Sequence, residues 1–185
     1  MINPGELRKG LTIELDDQFW NVVDYEHNKT GRGGALVRIK LRNRKSGATV
    51  ERTFSSNERF RRVYLDRRKV QYLYNDGDTY YFMDVETFEQ MGLDAAMLGD
   101  DVHYLKDNLT LDVLTHDGQA IGAELPLNVE LEVTDTEPGY RGDTTNAGSK
   151  PATLETGLRV QVPLFIKAGD TIRVDTRTGE YLTRV

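Results

Sequence analysis

The segment ALVRIKLR, residues 35–42, carries the pattern that decides the fold class. One set of alternate positions is apolar: Ala35, Val37, Ile39 and Leu41. The other set is mostly basic: Leu36, Arg38, Lys40 and Arg42. Successive side chains of a β-strand point to opposite faces, so this period of two predicts a strand with one core face and one mostly basic face.

Short strands separated by turns extend the pattern in both directions. The turn-forming groups are Asp16-Asp17, Ser46-Gly47, Asp76-Gly77, His116-Asp117-Gly118, Ala168-Gly169 and Thr178-Gly179. Asp-Gly between aromatic and β-branched residues is the strongest hairpin signal among them. Gly turns about every 8–12 residues are typical of small β-barrels or sandwiches. We expect one helical region, over 85–98, and a polar loop over 135–150.

The length of 185 residues divides most naturally into three modules of roughly 60 residues each. We predict domains at 1–64, 65–126 and 127–185, and modules this small are expected to share interfaces. A basic run marks the first boundary, and it is as consistent with a charged linker as with a functional surface. It consists of Arg59, Arg61, Arg62, Arg67, Arg68 and Lys69.

The net charge of −6 is distributed unevenly along the chain. Residues 1–64 hold 13 Lys and Arg against 8 Asp and Glu, a net of +5. The net charge is −9 over residues 65–125 and −2 over residues 126–185. This asymmetry predicts one basic working end on an acidic body, and the basic face Arg38, Lys40 and Arg42 is our candidate for RNA phosphate contact.

The loop from Lys29 to Gly34 is the sharpest local feature of the basic segment. Its three glycines permit positive φ and close approach to another surface, and Arg32 would project from the hairpin tip. An always-charged guanidinium suits phosphate, although an ordinary solvated hairpin loop would have a similar composition. A Walker loop is disfavoured because a strand follows and GK[ST] is absent.

Several function classes are disfavoured by composition. The chain has no Cys, which excludes disulfides and thiol catalysis and fits a reducing compartment. No apolar run approaches the roughly 18 residues of a membrane span, and charges interrupt the first fifteen residues where a secretory signal would need an apolar core. The three histidines share no metal-ligand spacing, so neither a metal site nor a catalytic residue is predicted.

Eight stretches, in order, make the whole chain similar to the bacterial elongation factor P family. They are KTGRGGALVRIKL (29–41), SGATVERTF (46–54), QYLYNDGD (71–78), FMDVETFEQ (82–90), VTDTEPGYRGDT (133–144), KPATLETG (150–157), VPLF (162–165) and VDTRTGEYLTRV (174–185). The last three together are far more specific than any single tripeptide.

The resemblance implies an SH3-like (KOW-type) N-terminal barrel followed by two OB-fold barrels in an L-shaped arrangement. It implies a cytoplasmic, monomeric translation elongation factor that binds both ribosomal subunits between the P and E sites. Its partners would be peptidyl-tRNA in the P site and the E-site mRNA codon. Such a factor relieves stalling at consecutive prolines by positioning peptidyl-tRNA, and it needs no cofactor because the ribosome supplies the chemistry.

The resemblance also assigns sites. The tip near the peptidyl transferase centre and the tRNA acceptor end would comprise Lys29, Gly31, Arg32, Gly33 and Gly34. The codon-side loop would comprise Gly142, Asp143 and Thr144, and Tyr181 and Arg184 would lie near the small-subunit end of the tRNA.

One departure from the family concerns the tip. Many members carry a Lys in a KPGKG-like loop, which receives a β-lysyl-type extension, whereas this chain has Arg32 there and Thr30 in place of Pro. The lysine-modifying chemistry therefore cannot act at Arg32. Arginine-type members are either rhamnosylated or unmodified, so Arg32 is a candidate modification site.

Other functions make different predictions. A single-stranded RNA-binding module of cold-shock type would expose aromatic stacking residues and bind bare RNA oligomers tightly. An adhesion protein using Arg141-Gly142-Asp143 would require secretion, and an enzyme would show turnover without ribosomes.

Overall fold

The computed structural model describes residues 1–29, 35–139 and 148–185 of the chain, and β-strands dominate these ranges. Three five-stranded sheets follow one another along the sequence. The all-β class predicted from the alternation in 35–42 is confirmed.

The first sheet has the strand order β4-β3-β2-β1-β5. Its strands are β1 (Thr12–Leu15), β2 (Gln18–Lys29), β3 (Ala35–Asn43), β4 (Thr49–Ser55) and β5 (Arg61–Val63). In β3, Val37, Ile39 and Leu41 are buried while Arg38 and Lys40 are exposed, as the period of two predicted. Ala35, which the alternation placed on the core face, is exposed, because it lies at the start of the strand next to the hairpin loop. The three buried apolar residues pack with Ile13, Trp20, Phe60 and others into the first core.

Two of the predicted turns lie in hairpins whose central residues have positive φ. Asp16 and Asp17 both have positive φ, 53° and 56°, between β1 and β2. Asp117 and Gly118, at 48° and 80°, repeat this conformation. Positive φ at both central residues is typical of a type I′ turn, whose twist matches that of paired strands.

The second sheet has the order β10-β9-β6-β7-β8. Its strands are β6 (Asp66–Asn75), β7 (Thr79–Asp84), β8 (Gln90–Asp94), β9 (Thr110–His116) and β10 (Gln119–Glu124). A short helix, α1 (Ala95–Leu98), and a 3₁₀ helix (Gly99–Tyr104) follow β8. The basic run at 59–69 is not a linker, because most of it lies in β5 and β6.

The helix predicted over 85–98 is wrong, since only its last four residues are helical. Residues 90–94 form β8 instead, next to β7. A Cβ on Gly92 would lie 2.9 Å from Thr79 Cγ2, so the backbone of β8 lies directly against side chains of β7. Leu93 is buried from this strand rather than from the apolar face of a helix.

The third sheet has the order β13-β12-β11-β14-β15. Its strands are β11 (Asn128–Thr136), β12 (Ser149–Leu154), β13 (Arg159–Pro163), β14 (Thr171–Asp175) and β15 (Tyr181–Arg184). A register shift between Val133 and Asp135 marks where β11 passes from pairing with β14 to pairing with β12. The β12 strand was missed, because Ser149 and Pro151 are unfavourable strand residues.

Packing divides the chain into two compact units. The first unit contains residues 1–68, 93–99 and 113–123, and the second contains residues 69–92, 100–112 and 124–185. The second unit has its own core, in which Leu131, Leu154, Ile166 and Ile172 are fully buried. No helix in the described ranges is both long and apolar enough to cross a bilayer.

Candidate nucleic-acid interface

The sequence of the predicted tip lies between β2 and β3, which pair as a long hairpin. The two strands pair from Trp20–Asn43 to Lys29–Ala35, roughly 30 Å of extended chain. The third strand, β4, continues beside β3 as far as Leu36, and Ser56 N donates to Ala35 O at 2.9 Å. Both arms of the tip are therefore held by backbone hydrogen bonds up to the loop. The Lys29 side chain and Gly31, Arg32, Gly33 and Gly34 lie outside the described residues, so their role stays a prediction.

The basic face of β3 is bordered by carboxylates. Arg38 Nε lies 3.2 Å from Glu51 Oε1, and Glu26 stands opposite Arg38 on β2. Lys40 pairs in register with Asp24 on one side and Glu51 on the other. These residues line a depression of about 180 Å³ together with Tyr25. The face is thus charge-balanced rather than uniformly positive.

A further ion pair, between Lys9 and Asp24, lies beside that face. Lys9 Nζ lies 2.8 Å from Asp24 Oδ1, and both side chains are at least half exposed. The hydrogen bond from Lys9 lowers the pKa of Asp24, and the same bond raises the pKa of Lys9. Asp24 therefore stays ionised near neutral pH beside Lys40. The sequence identified this face, but only the strand register shows which charge stands beside each cation.

The next two arginines are engaged in packing. Arg42 is half-buried, and its Nη2 lies where a Cβ on Gly99 would be. Arg44 Nη2 donates to Thr12 Oγ1 at 3.0 Å and to Asn21 Oδ1 at 3.1 Å. Arg44, two positions after Arg42 in the sequence, thus links β1 and β2. Phosphate contact by Arg38, Lys40 and Arg42 stays a prediction.

The predicted codon-side residues Gly142, Asp143 and Thr144 lie outside the described part of the chain. The residues that flank them are well anchored. Lys150 is only 6% exposed, and its Nζ donates to Glu137 O at 2.6 Å. Thr136 Oγ1 donates to Pro151 O at 2.9 Å. These two hydrogen bonds tie the end of β11 to the start of β12.

Tyr181 and Arg184 occupy β15, the strand at one end of the third sheet. Tyr181 is partly buried against the core, so the ring supports the strand. The Arg184 guanidinium is half-exposed, 5.5 Å from the Phe165 ring centroid and 4.0 Å from Asp170 Oδ2. A 4.0 Å ion pair at an exposed site is weak, so the guanidinium can exchange this partner for a phosphate.

The sequence did not single out an exposed aromatic pair on β6 and β7. The Tyr74 and Tyr81 rings stack with centroids 4.8 Å apart, and Tyr74 is 53% exposed. Tyr81 Oη donates to Asp76 Oδ2 at 3.0 Å, which raises the pKa of Tyr81. The backbone N–H of Thr79 and then this Tyr81 hydroxyl lower the pKa of Asp76. The carboxylate and the net acidity of 65–125 oppose phosphate binding there, so exposed rings alone do not favour the cold-shock hypothesis.

No group of three or more His, Cys, Asp or Glu side chains in the described ranges could hold a metal ion. The three histidines lie apart in the sequence, and His116 contacts the Tyr64 carbonyl and Phe19 rather than a nucleophile. The described ranges do contain exposed cations, exposed rings and an extended hairpin, which suit binding to nucleic acid.

Three family models match consecutive parts of the chain. Residues 4–60 match the elongation factor P KOW-like domain, residues 65–123 the elongation factor P OB domain, and residues 129–184 the elongation factor P C-terminal domain. Elongation factor P from Moorella thermoacetica is 55% identical over 184 residues, covering all of both chains. Elongation factor P from a Thermoanaerobacter species is 55% identical over 185 residues, again covering all of both.

A solved structure entitled eukaryotic translation initiation factor 5A from Methanococcus jannaschii covers 67% of this chain and 93% of its own. Its identity is 23% and its TM-score 0.49, a similarity too low to carry an argument.

The three sheets and the three matched domains define a translation factor with KOW-like and OB-fold barrels. The predicted fold class is thus confirmed. With full-length relatives at this identity, the chain belongs to the elongation factor P family.

Proposed function

We propose that this elongation factor binds the ribosome between the P and E sites and relieves stalling at consecutive prolines by positioning peptidyl-tRNA. The observation that carries the proposal is full-length membership of the elongation factor P family. Its partners would be both ribosomal subunits, peptidyl-tRNA and the E-site codon, and it would act as a cytoplasmic monomer without a cofactor.

The physical basis is orientation rather than acid–base chemistry. Proline is a conformationally restricted substrate because its ring fixes φ and removes the backbone N–H. Holding the tRNA acceptor end in attack geometry lowers the entropic part of the barrier. Such positioning requires a rigid arm, and the β2–β3 hairpin with β4 beside it provides about 30 Å of paired strand.

The sites distribute over the domains 1–64, 65–126 and 127–185. Lys29, Gly31, Arg32, Gly33 and Gly34 would reach the acceptor end. Gly142, Asp143 and Thr144 would face the codon, and Tyr181 and Arg184 would lie at the small-subunit end of the tRNA. Arg38, Lys40 and Arg42 would contact phosphates, with RNA displacing Glu51 from the exposed Arg38 pair.

The experiment measures peptide-bond formation on purified ribosomes with a polyproline reporter. We expect the wild-type chain to relieve stalling and Arg32→Ala to lose most of that relief. Arg159→Ala, which removes an exposed arginine on β13, is the matched control and should behave as wild type. Equal relief by Arg32→Ala and wild type would contradict the assigned role of the tip.

A second measurement separates this function from free RNA binding. A polyproline-dependent effect that appears only with ribosomes supports the proposal. An equal effect on reporters with and without proline runs would overturn it. Intact mass of the native protein shows whether Arg32 is modified, and an added deoxyhexose mass would identify rhamnosylation.

A further inference from the structure

The short strand β5 presents a basic cluster separate from the face of β3. It stands at one end of the first sheet and pairs with β1, with Val63 opposite Thr12 and Arg62 opposite Ile13. Phe60 and Val63 are buried, whereas Arg59, Arg61, Arg62 and Tyr64 are exposed. Residues 59–64 therefore expose three arginines and one tyrosine while two apolar side chains between them are buried in the core.

The cations of this cluster differ in how far they are neutralised. Arg61 Nη1 lies 3.1 Å from Glu14 Oε2 and so has an acidic partner. Neither Arg59 nor Arg62 has a carboxylate within ion-pair distance among the residues that the structure describes. On β3, in contrast, Arg38 is paired with Glu51 and Lys40 has carboxylates on both neighbouring strands.

An aromatic ring accompanies the two arginines. Tyr64 is 72% exposed, although the Arg62 guanidinium lies 4.8 Å from its ring centroid. The backbone beneath is fixed, since Tyr64 O lies 3.0 Å from His116 Nδ1 and the His116 ring packs edge-on against Phe19 at 5.2 Å. The ring is thus held in solvent on an anchored strand end.

We propose that Arg59, Arg62 and Tyr64 form an RNA-binding site distinct from the hairpin tip and the β3 face. The two guanidinium groups bind neighbouring backbone phosphates, and an unpaired base stacks on Tyr64 and the Arg62 plane. The Arg62 guanidinium adjoins the Tyr64 ring, and Arg59 precedes β5, at most about 10 Å of chain from Arg62. The site does not depend on the ribosomal function, because a free RNA strand suffices to occupy it.

The chemistry favours RNA over an acidic protein segment. Carboxylates would need only the two cations, whereas the exposed ring adjoining a guanidinium offers a flat surface that a base can cover. Arginines on an edge strand also discourage pairing with the edge strands of other molecules. That role requires only their charge and does not involve the exposed ring of Tyr64.

The experiment titrates the full chain with a fluorescein-labelled oligoadenylate decamer and follows anisotropy from low to physiological salt. Arg59→Gln/Arg62→Gln should reduce the slope of log affinity against log salt by about 1.4, the value for two phosphate contacts on single-stranded RNA. Tyr64→Ala should weaken binding about fivefold or more, and Tyr64→Phe should retain most of the affinity. Arg159→Gln is the control for loss of one exposed arginine.

Two results would overturn the assignment. One is unchanged affinity and salt slope in the double arginine variant, which would leave these residues as edge charges. The other is tighter binding of a labelled polyglutamate peptide that Tyr64→Ala does not alter, which would indicate an acidic protein partner. Because all three side chains are exposed, the variants should fold, and unchanged emission from Trp20 would verify this.

Discussion

Replacing Gly99 with alanine should destabilise the first unit by about 1–4 kcal/mol. Gly99 has φ 58° and ψ −134°, a conformation that L-residues rarely adopt. Holding a non-glycine residue there costs about 1–3 kcal/mol. The new Cβ would also overlap Arg42 Nη2, and because this atom ends a flexible, half-buried side chain the guanidinium can shift at a further cost of up to about 1 kcal/mol.

Gly118→Ala is the matched control for the backbone term. Gly118 also has positive φ, 80°, and belongs to the same unit, but a Cβ added there would meet no other described residue within 4 Å. The variant Gly118→Ala should therefore lose only the free energy needed to hold a non-glycine residue at positive φ, about 1–2 kcal/mol. In the double variant Arg42→Ala/Gly99→Ala the added Cβ no longer meets the guanidinium, so the free energy of unfolding lost to that overlap should be recovered. The double-mutant cycle therefore measures the steric contribution by itself.

The assay is thermal or denaturant unfolding followed by Trp20, the single tryptophan of the chain, which is 6% exposed in the first core. A loss of about 1–4 kcal/mol corresponds to a midpoint shift of roughly 2–16 °C for a chain of this size. Equal destabilisation by Gly99→Ala and Gly118→Ala, with no coupling to Arg42, would refute the packing role assigned to Arg42.

Two further predictions concern the second unit. The Arg177 side chain, with its backbone N–H, holds the pKa of Asp175 at about 2 rather than its usual 3.8, so its stabilising contribution is complete above about pH 4 and is lost as pH falls through 2. Asp175→Asn should remove this dependence of stability on pH. The unfolding midpoints of the wild-type and Asp175→Asn proteins should therefore converge as the pH is lowered from 5 to 2. A difference between the two midpoints that stays constant over this range would contradict the stabilising role of the Asp175 carboxylate. Leu131→Ala, at a fully buried site, should cost about 2–5 kcal/mol by denaturant unfolding. Leu127→Ala, at a site 65% exposed, should stay within about 0.5 kcal/mol, and similar losses at both sites would refute the burial argument.

Local signals were sufficient for the strand and turn pattern of much of the chain. The alternation in 35–42 located β3 and its buried face, and Asp-Gly pairs located hairpins, because both depend on neighbouring residues alone. The missed elements depend on distant partners. Residues 90–94 form a strand beside β7, and Gly92 lies directly against the Thr79 side chain, a contact that no residue nearby in the sequence signals.

The candidate site shows the same division. Composition and alternation identified Arg38 and Lys40 as exposed cations, and both are exposed. Their acidic neighbours come from β2 and β4, so the charge balance of this face depends on strand register, which alternation does not give. Arg44 shows a second limit, since its position beside exposed cations gave no sign of its hydrogen bonds to Thr12 and Asn21.

The ion pairs of residues 1–64 indicate which of the described cations in this segment are not neutralised by a carboxylate. Ion pairs in the described part of residues 1–64 include those that join Lys9, Arg38, Arg52 and Arg61 to Asp24, Glu51, Asp16 and Glu14. Each of these pairs neutralises one cation and one carboxylate, so the net charge of +5 is the excess of the nine other Lys and Arg over the four other Asp and Glu. Those include Arg59 and Arg62 beside β5, and cations of this kind release condensed counterions from RNA when they neutralise its phosphates. The salt dependence of RNA binding should therefore respond more to Arg59→Gln/Arg62→Gln than to Arg38→Gln, whose removal also frees Glu51.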